Sequence, residues 1–137
     1  MSESTRGLLD TSVVIDHEAI DPKLLPDQSA ISAVTLAELA AGPHATDNSE
    51  ERARRQDRLQ WATATWDPLP FDEEGARLYG RMYAAARAAK QSSRSRFADL
   101  LIASTAAANN PVDGDRPRIP AVHALARITR YVSPSSA

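Results

Sequence analysis

Two hydrophobic rhythms run along this chain, and the places where one replaces the other mark its elements. Leu8 and Leu9 form a short apolar run that stops at Asp10, and Thr11-Ser12 then precede Val13, Val14 and Ile15. That order predicts a strand ending near Asp10 and a helix starting at Thr11 or Ser12, because Ser and Thr satisfy the free N–H groups at helix N-termini. Asp21-Pro22 and Leu25-Pro26-Asp27 punctuate a loop. Ala30 to Val34 predicts a second short strand, and Thr35 to Ala41 a helix stopped by Gly42-Pro43. From Glu50 to Trp66, Leu59, Ala62, Thr63 and Trp66 recur at helical spacing alongside Arg52, Arg54, Arg55 and Arg58, which predicts an amphipathic helix with a basic face. Leu69-Pro70-Phe71 reads as a short extended segment. The next helix, Glu73 to about Lys90, carries Ala76, Tyr79, Met82, Tyr83 and Ala86 on one stripe. After a polar break, Phe97, Leu100, Leu101, Ser104, Thr105 and Ala108 mark another, ending near Asn109-Asn110-Pro111. Strand–helix alternation on this scale predicts an α/β domain built on a small parallel sheet.

The pattern breaks down after that helix. Residues 110–137 contain Pro111, Pro117, Pro120 and Pro134 and keep neither period; only Ala121 to Ile128 reads as a short helix. Proline removes the ladder donors that a further strand needs. The chain therefore divides into a domain over 1–109 and an atypical tail over 110–137, standing where last strands are expected.

Composition narrows the field. A chain of 137 residues with 42% hydrophobic and 25% charged residues is an ordinary single globular domain. The absence of cysteine excludes disulfides, zinc–thiolate sites and thiol nucleophiles, and fits a cytoplasmic protein. No apolar stretch approaches the roughly 20 residues that span a bilayer, and Met1 to Gly7 lacks the apolar region of a signal peptide. With a net charge of −2, the chain has no global attraction for nucleic acid. A polyanionic partner would have to be held by local patches or by metal ions.

Three acids stand in apolar surroundings. Asp10 ends the first strand, Glu38 sits among Leu36, Ala37, Leu39 and Ala40, and Asp99 interrupts Phe97-Ala98-Asp99-Leu100-Leu101-Ile102. Carboxylates in such places are paired, protonated or metal-bound, because burying a lone charge is costly. If the three converge, a hard divalent cation such as Mg²⁺ or Mn²⁺ would relieve their repulsion. Each also has an unremarkable explanation. Thr35-x-x-Glu38 fits a capping box, Asp99 suits the first turn of a helix, and Asp10 suits a turn or cap beside Thr11-Ser12.

Three segments resemble, in order, the motifs of PIN-domain ribonucleases, and in particular the VapC-type toxins of toxin–antitoxin pairs. These are Gly7-Leu8-Leu9-Asp10-Thr11-Ser12-Val13-Val14-Ile15, then Val34-Thr35-Leu36-Ala37-Glu38-Leu39 with Gly42 after it, and Phe97 to Ala106. The resemblance covers about residues 7–109. It implies a three-layer α/β/α fold and a metal-dependent endoribonuclease that hydrolyses RNA phosphodiester bonds. It also implies Asp10, Glu38 and Asp99 around Mg²⁺ or Mn²⁺ as catalytic acids, with Asp10 and Asp99 as metal ligands. A cognate antitoxin as inhibitor and a homodimer follow from the same resemblance. Thr11 or Ser12 would support the site through a hydroxyl or cap a helix, and Arg94 and Arg96 would meet RNA phosphate or remain solvated.

The chain also departs from that family. Where the family places a Thr-x-Asn/Asp-x-x-Asp-Phe-like segment with a fourth acid, this chain has Arg116-Pro117-Arg118-Ile119-Pro120. Asp113 and Asp115 nearby read as a solvated turn. The abrupt stop near Asn110 is what a shifted reading frame would produce, and an Asp-Phe-like motif should then appear in another frame of the coding DNA. Two alternatives therefore stay open: a catalytically impaired PIN-domain remnant that binds antitoxin or RNA, and an unrelated phosphate-processing hydrolase built on Asp10-Thr11-Ser12. His17, His44 and His123 lack ligand-like spacing and read as surface residues. Trp61, Trp66, Tyr79 and Tyr83 read as core or partner-interface residues.

Overall fold

Strand β1 (Arg6–Leu9) is the middle of a three-stranded sheet ordered β2-β1-β3. The computed structural model describes residues 6–89, 97–109 and 128–130. Strand β2 (Gln28–Ala30) pairs with β1 in parallel, Leu8 standing opposite Ala30. Strand β3 (Ile128–Arg130) pairs with the other edge of β1 in antiparallel fashion, Leu8 opposite Thr129.

Successive side chains on a strand point to opposite faces, and β1 is apolar on both. Leu9 packs with Val13, Val14, Ile31, Leu39 and Ala62. These bring helices α1 (Thr11–Ile15), α2 (Ala33–Ala41) and α3 (Ser49–Thr65) to one side. Leu8 packs with Ala30, Ile102 and Ala106, which seats α5 (Phe97–Ala108) on the other. Helix α4 (Glu73–Ala88) lies over α5 through Leu78 and Met82 against Leu100, Ala103 and Ala107. This is the expected three-layer α/β/α arrangement.

The second strand lies earlier than its apolar run predicts. The run Ala30 to Val34 is split, because Ser32 caps α2: its Oγ accepts a hydrogen bond from the Thr35 N–H at 3.0 Å. The extended backbone just before the cap continues into a bridge with Leu69, whose N–H donates to the Ile31 carbonyl while the Ala33 N–H donates to the Leu69 carbonyl. Asn48 and Asp72 cap α3 and α4 in the same way, accepting from the N–H groups of Glu51 and Gly75. A side chain at Gly75 would stand 3.2 Å from the Phe71 ring, so the absence of Cβ lets that ring close over the helix start.

The tail differs from its sequence expectation at one point. Ile128, expected to end a short helix, instead begins β3. The strand fits between Pro120 and Pro134, so it keeps its N–H donors. The remainder of 110–137 lies outside the described residues.

The basic face of α3 is tied back to the chain. Arg54 and Arg55 bond the Glu51 carboxylate at 2.6 and 3.0 Å. Arg55 also donates to the Gly42 carbonyl, and Arg52 donates to the carbonyls of Pro43 and Thr46. Arg52 and Arg55 therefore satisfy carbonyls of the segment that follows α2, while Arg54 pairs with Glu51 on its own helix.

Two outcomes are expected. Hydrogen bonds from Arg54 and then Arg55 hold the Glu51 carboxyl below its usual 4.5. A carboxyl lowered in the folded state stabilises the fold above its unfolded value, and that contribution is lost as pH falls through the folded value. The melting-temperature advantage of the native chain over Glu51→Gln should therefore shrink as pH is lowered beyond 4.5. Leu9→Ala opens a cavity between the sheet and three helices and should cost about 2–5 kcal/mol, measured by urea denaturation.

Candidate active site

Parallel α/β sheets place their ligands at the carboxyl edge of the strands, and β1 delivers Asp10 to that edge. Asp10 occupies the N-cap position of α1 with extended backbone, yet its side chain makes no capping bond. Its Oδ2 instead accepts from the Ser12 hydroxyl at 3.0 Å. The neighbouring Thr11 is buried, and its hydroxyl donates to Oε1 of Glu38 at 2.6 Å. That length is typical of a hydroxyl bound to an ionised carboxylate.

Glu38 is not part of a capping box. The N-cap of α2 is Ser32, so Thr35 occupies the third helical position and Glu38 lies nearly a turn further on, exposed. Its carboxylate reaches across to α1 instead of back to its own helix. Thr11 and Ser12 likewise spend their hydroxyls on carboxylates, not on helix N–H groups.

Behind Thr11 lie two more hydroxyls, those of Ser32 and Thr35, whose sequence pattern suggests a strand and a cap. The Thr35 Oγ1 is 3.1 Å from that of Thr11, and the Ser32 Oγ is 3.4 Å from that of Thr35. The available signal was a pair of polar residues, Ser32 and Thr35, inside an otherwise apolar stretch. Among the described residues no buried side-chain polar atom lacks a partner.

Asp99 lies in the first turn of α5 and is exposed. It precedes Ile102 by three residues, so it shares the stripe that Ile102 and Ala106 press against Leu8 and Ala30. Among the described residues, no three His, Cys, Asp or Glu side chains are grouped so as to hold a metal ion. The structure therefore links Asp10 and Glu38 through the adjoining Thr11 and Ser12, without gathering the three acids into one such group. The described hydrogen bonds engage one oxygen of each linked carboxylate, leaving Oδ1 of Asp10 and Oε2 of Glu38 as hard donors suited to Mg²⁺ or Mn²⁺. Arg94, Arg96 and His123 lie outside the described residues.

The remaining candidates fall elsewhere. His44 is exposed as expected, but His17 is half-buried and stacks on Trp61, with ring centroids 4.7 Å apart. Trp61 meets Trp66 edge-on at 5.0 Å, and Trp66 packs against the core. Ile15, His17, Arg54, Arg58 and Trp61 line a cleft of about 770 Å³ between the end of α1 and α3, to which none of the three acids contributes. Tyr79 joins the core of α4 and α5, touching Phe97 and Tyr83.

Comparison with known proteins bears on this site. A PIN-domain family model matches residues 7–111. The chain is 39% identical over 104 residues to Ribonuclease VapC5 of Mycobacterium tuberculosis (strain ATCC 25618 / H37Rv), covering 74% of this chain and 75% of that protein. It is 39% identical over 101 residues to Ribonuclease VapC8 of Mycobacterium tuberculosis (strain CDC 1551 / Oshkosh), covering 73% and 89%. Its fold matches the crystal structure of VapBC-5, a member of the VapBC toxin–antitoxin family from Mycobacterium tuberculosis. That match has a TM-score of 0.66 and 37% identity, covering 75% of this chain and 78% of the other. FitAcB from Neisseria gonorrhoeae is similar with a TM-score of 0.57 and 27% identity, over 74% and 80% of the two chains.

The Thr11 hydroxyl is the link between α1 and Glu38. Thr11→Val should lower stability in urea by about 1.5–3 kcal/mol, the range for losing a hydrogen bond to a charged group. An unchanged unfolding midpoint would mean that the bond is not formed in solution.

Proposed function

Because this chain belongs to the PIN-domain family, we propose that it is a toxin ribonuclease of the VapC type, hydrolysing RNA phosphodiester bonds with a divalent metal ion and neutralised by a cognate antitoxin. The observation that carries this reading is the pair of hydroxyl-backed carboxylates at the carboxyl edge of β1: Asp10 on Ser12, and Glu38 on Thr11. The named relatives are ribonucleases of this type, and the solved structure of VapBC-5 belongs to a toxin–antitoxin family.

Asp10 and Glu38 would hold Mg²⁺ or Mn²⁺ through their unengaged oxygens, with Asp99 as the third acid and a metal ligand beside Asp10. Bound there, the ion supplies a water of lowered pKa and positive charge for the phosphate. The chain's own part is positional. Thr11 and Ser12 fix one oxygen of each acid, so the other presents a defined direction to solvent. Arg94 and Arg96, just before Asp99 in the chain, would meet RNA phosphate near the metal. A homodimer and a cytoplasmic location complete the proposal; among the described residues no helix is long and apolar enough to cross a membrane.

One observation favours a second reading, an impaired remnant that binds antitoxin or RNA without cleaving. The family match ends at residue 111, and the stretch Arg116 to Pro120 supplies neither a fourth acid nor a hydroxyl. The two readings part in an RNA-cleavage assay with and without Mg²⁺ or Mn²⁺. The native chain should cleave only with metal. Asp10→Asn, Glu38→Gln and Asp99→Asn should each lose more than about a hundredfold, beyond the ten- to hundredfold typical of supporting residues. Equal activity in all four proteins would remove the acids from the chemistry, and inactivity of the native chain would favour the remnant.

A further inference from the structure

We infer that Thr35 is a positioning residue for this site, its hydroxyl acting through Thr11 to hold Glu38; the inference rests on the nuclease reading above for its consequence but not for its geometry. Ser32 and Thr35 are fully buried and Thr11 nearly so. Their oxygens form a line of contacts ending on a charge: Ser32 to Thr35 at 3.4 Å, Thr35 to Thr11 at 3.1 Å, and Thr11 to Glu38 at 2.6 Å. Each hydroxyl has one proton to donate. The short bond to Glu38 takes that of Thr11, so Thr11 can only accept from Thr35, and Thr35 in turn accepts from Ser32. The direction of the chain is thereby set from the buried end towards the carboxylate. Aligned hydrogen bonds of this kind polarise and strengthen one another.

A purely structural role does not explain Thr35. Its N–H already meets Ser32 as part of the helix cap, which needs no hydroxyl at position 35. Ser and Thr within helices ordinarily bond back to a carbonyl of their own helix. Ser104 and Thr105 do so in α5, to Leu100 and Leu101, and Thr63 and Thr65 do so in α3. The Thr35 hydroxyl turns instead across to α1. Thr11 grips Glu38 directly, and because the contact from Ser32 is the longest in the line, the support behind Thr11 comes chiefly from Thr35. Glu38 is otherwise exposed on a flexible three-carbon side chain, and without this support its carboxylate would sample several rotamers.

Thr35→Val keeps the shape and removes the hydroxyl, while Thr35→Ser keeps the hydroxyl and removes a methyl. In the metal-free full-length chain, side-chain NMR of Glu38 should show one dominant rotamer for the native protein and Thr35→Ser, and averaging for Thr35→Val. Mn²⁺ affinity and RNA cleavage should both fall about tenfold in Thr35→Val and recover in Thr35→Ser, at the lower end of what supporting residues contribute. In a Glu38→Gln background, Thr35→Val should add no further loss. A single Glu38 rotamer in Thr35→Val would overturn the inference, and so would a failure of Thr35→Ser to restore it, or equal losses with and without Glu38. If the native chain cleaves no RNA, the nuclease reading fails, while the rotamer measurement still decides whether Thr35 holds Glu38.

Discussion

Leu8 and Leu9 face opposite sides of the sheet, and each is sealed beneath helices, Leu9 by α1, α2 and α3 and Leu8 by α5. That double burial fixes the register of β1. A slip of one residue would exchange the two faces and draw Asp10 into an apolar layer, with the heavy penalty of an unpaired buried carboxylate. Asp10 is therefore held at the rim, where the strand has ended and water is within reach. The remaining parts of the site follow from this one constraint. Thr11 and Ser12 come next in the chain, α2 is brought alongside by Ile31 and Leu39, and Glu38 is thus presented to Thr11.

The arrangement also resolves a question of charge. A chain of net charge −2 has no broad attraction for RNA, and most of the arginines on α3 are occupied by Glu51 and by backbone carbonyls. Under the proposed function, RNA would then be recognised locally. Two carboxylates, each with one oxygen outside the described hydrogen bonds, would repel phosphate at a sheet edge unless a cation stood between, which is why the proposed function includes a divalent metal. The hydroxyls of Thr11 and Ser12 hold those acids in place without adding charge.

Much of this was legible in the chain. The stop of the apolar run at Asp10, the helix start at Thr11, and the stripes containing Met82 and Leu100 each follow from spacing alone. The start of α2 did not. Ala30 to Val34 is as good a strand as a helix start by composition, and only the backbone bridge from Ile31 to Leu69 shows why Ser32 becomes the cap. That displacement changes the meaning of Glu38, which a capping box would have made structural. Strand β3 was hidden for another reason: three residues between prolines carry too little pattern to announce a strand whose partner lies 120 residues earlier. The packing of His17 on Trp61 was equally unreadable, because it joins residues 44 positions apart. Asp10, Glu38 and Asp99 stand out in the sequence from their apolar surroundings; the capping role read for Thr35 belongs to Ser32.

Under the proposed function, Asp10 and Glu38 present their unengaged oxygens to one divalent ion. Crystals of the full chain grown with Mn²⁺ test it directly through the anomalous scattering of manganese. The account predicts one strong peak at the carboxyl edge of β1, within coordinating distance of Oδ1 of Asp10 and Oε2 of Glu38. A peak elsewhere, or no peak at this edge at Mn²⁺ concentrations that support RNA cleavage, would contradict it.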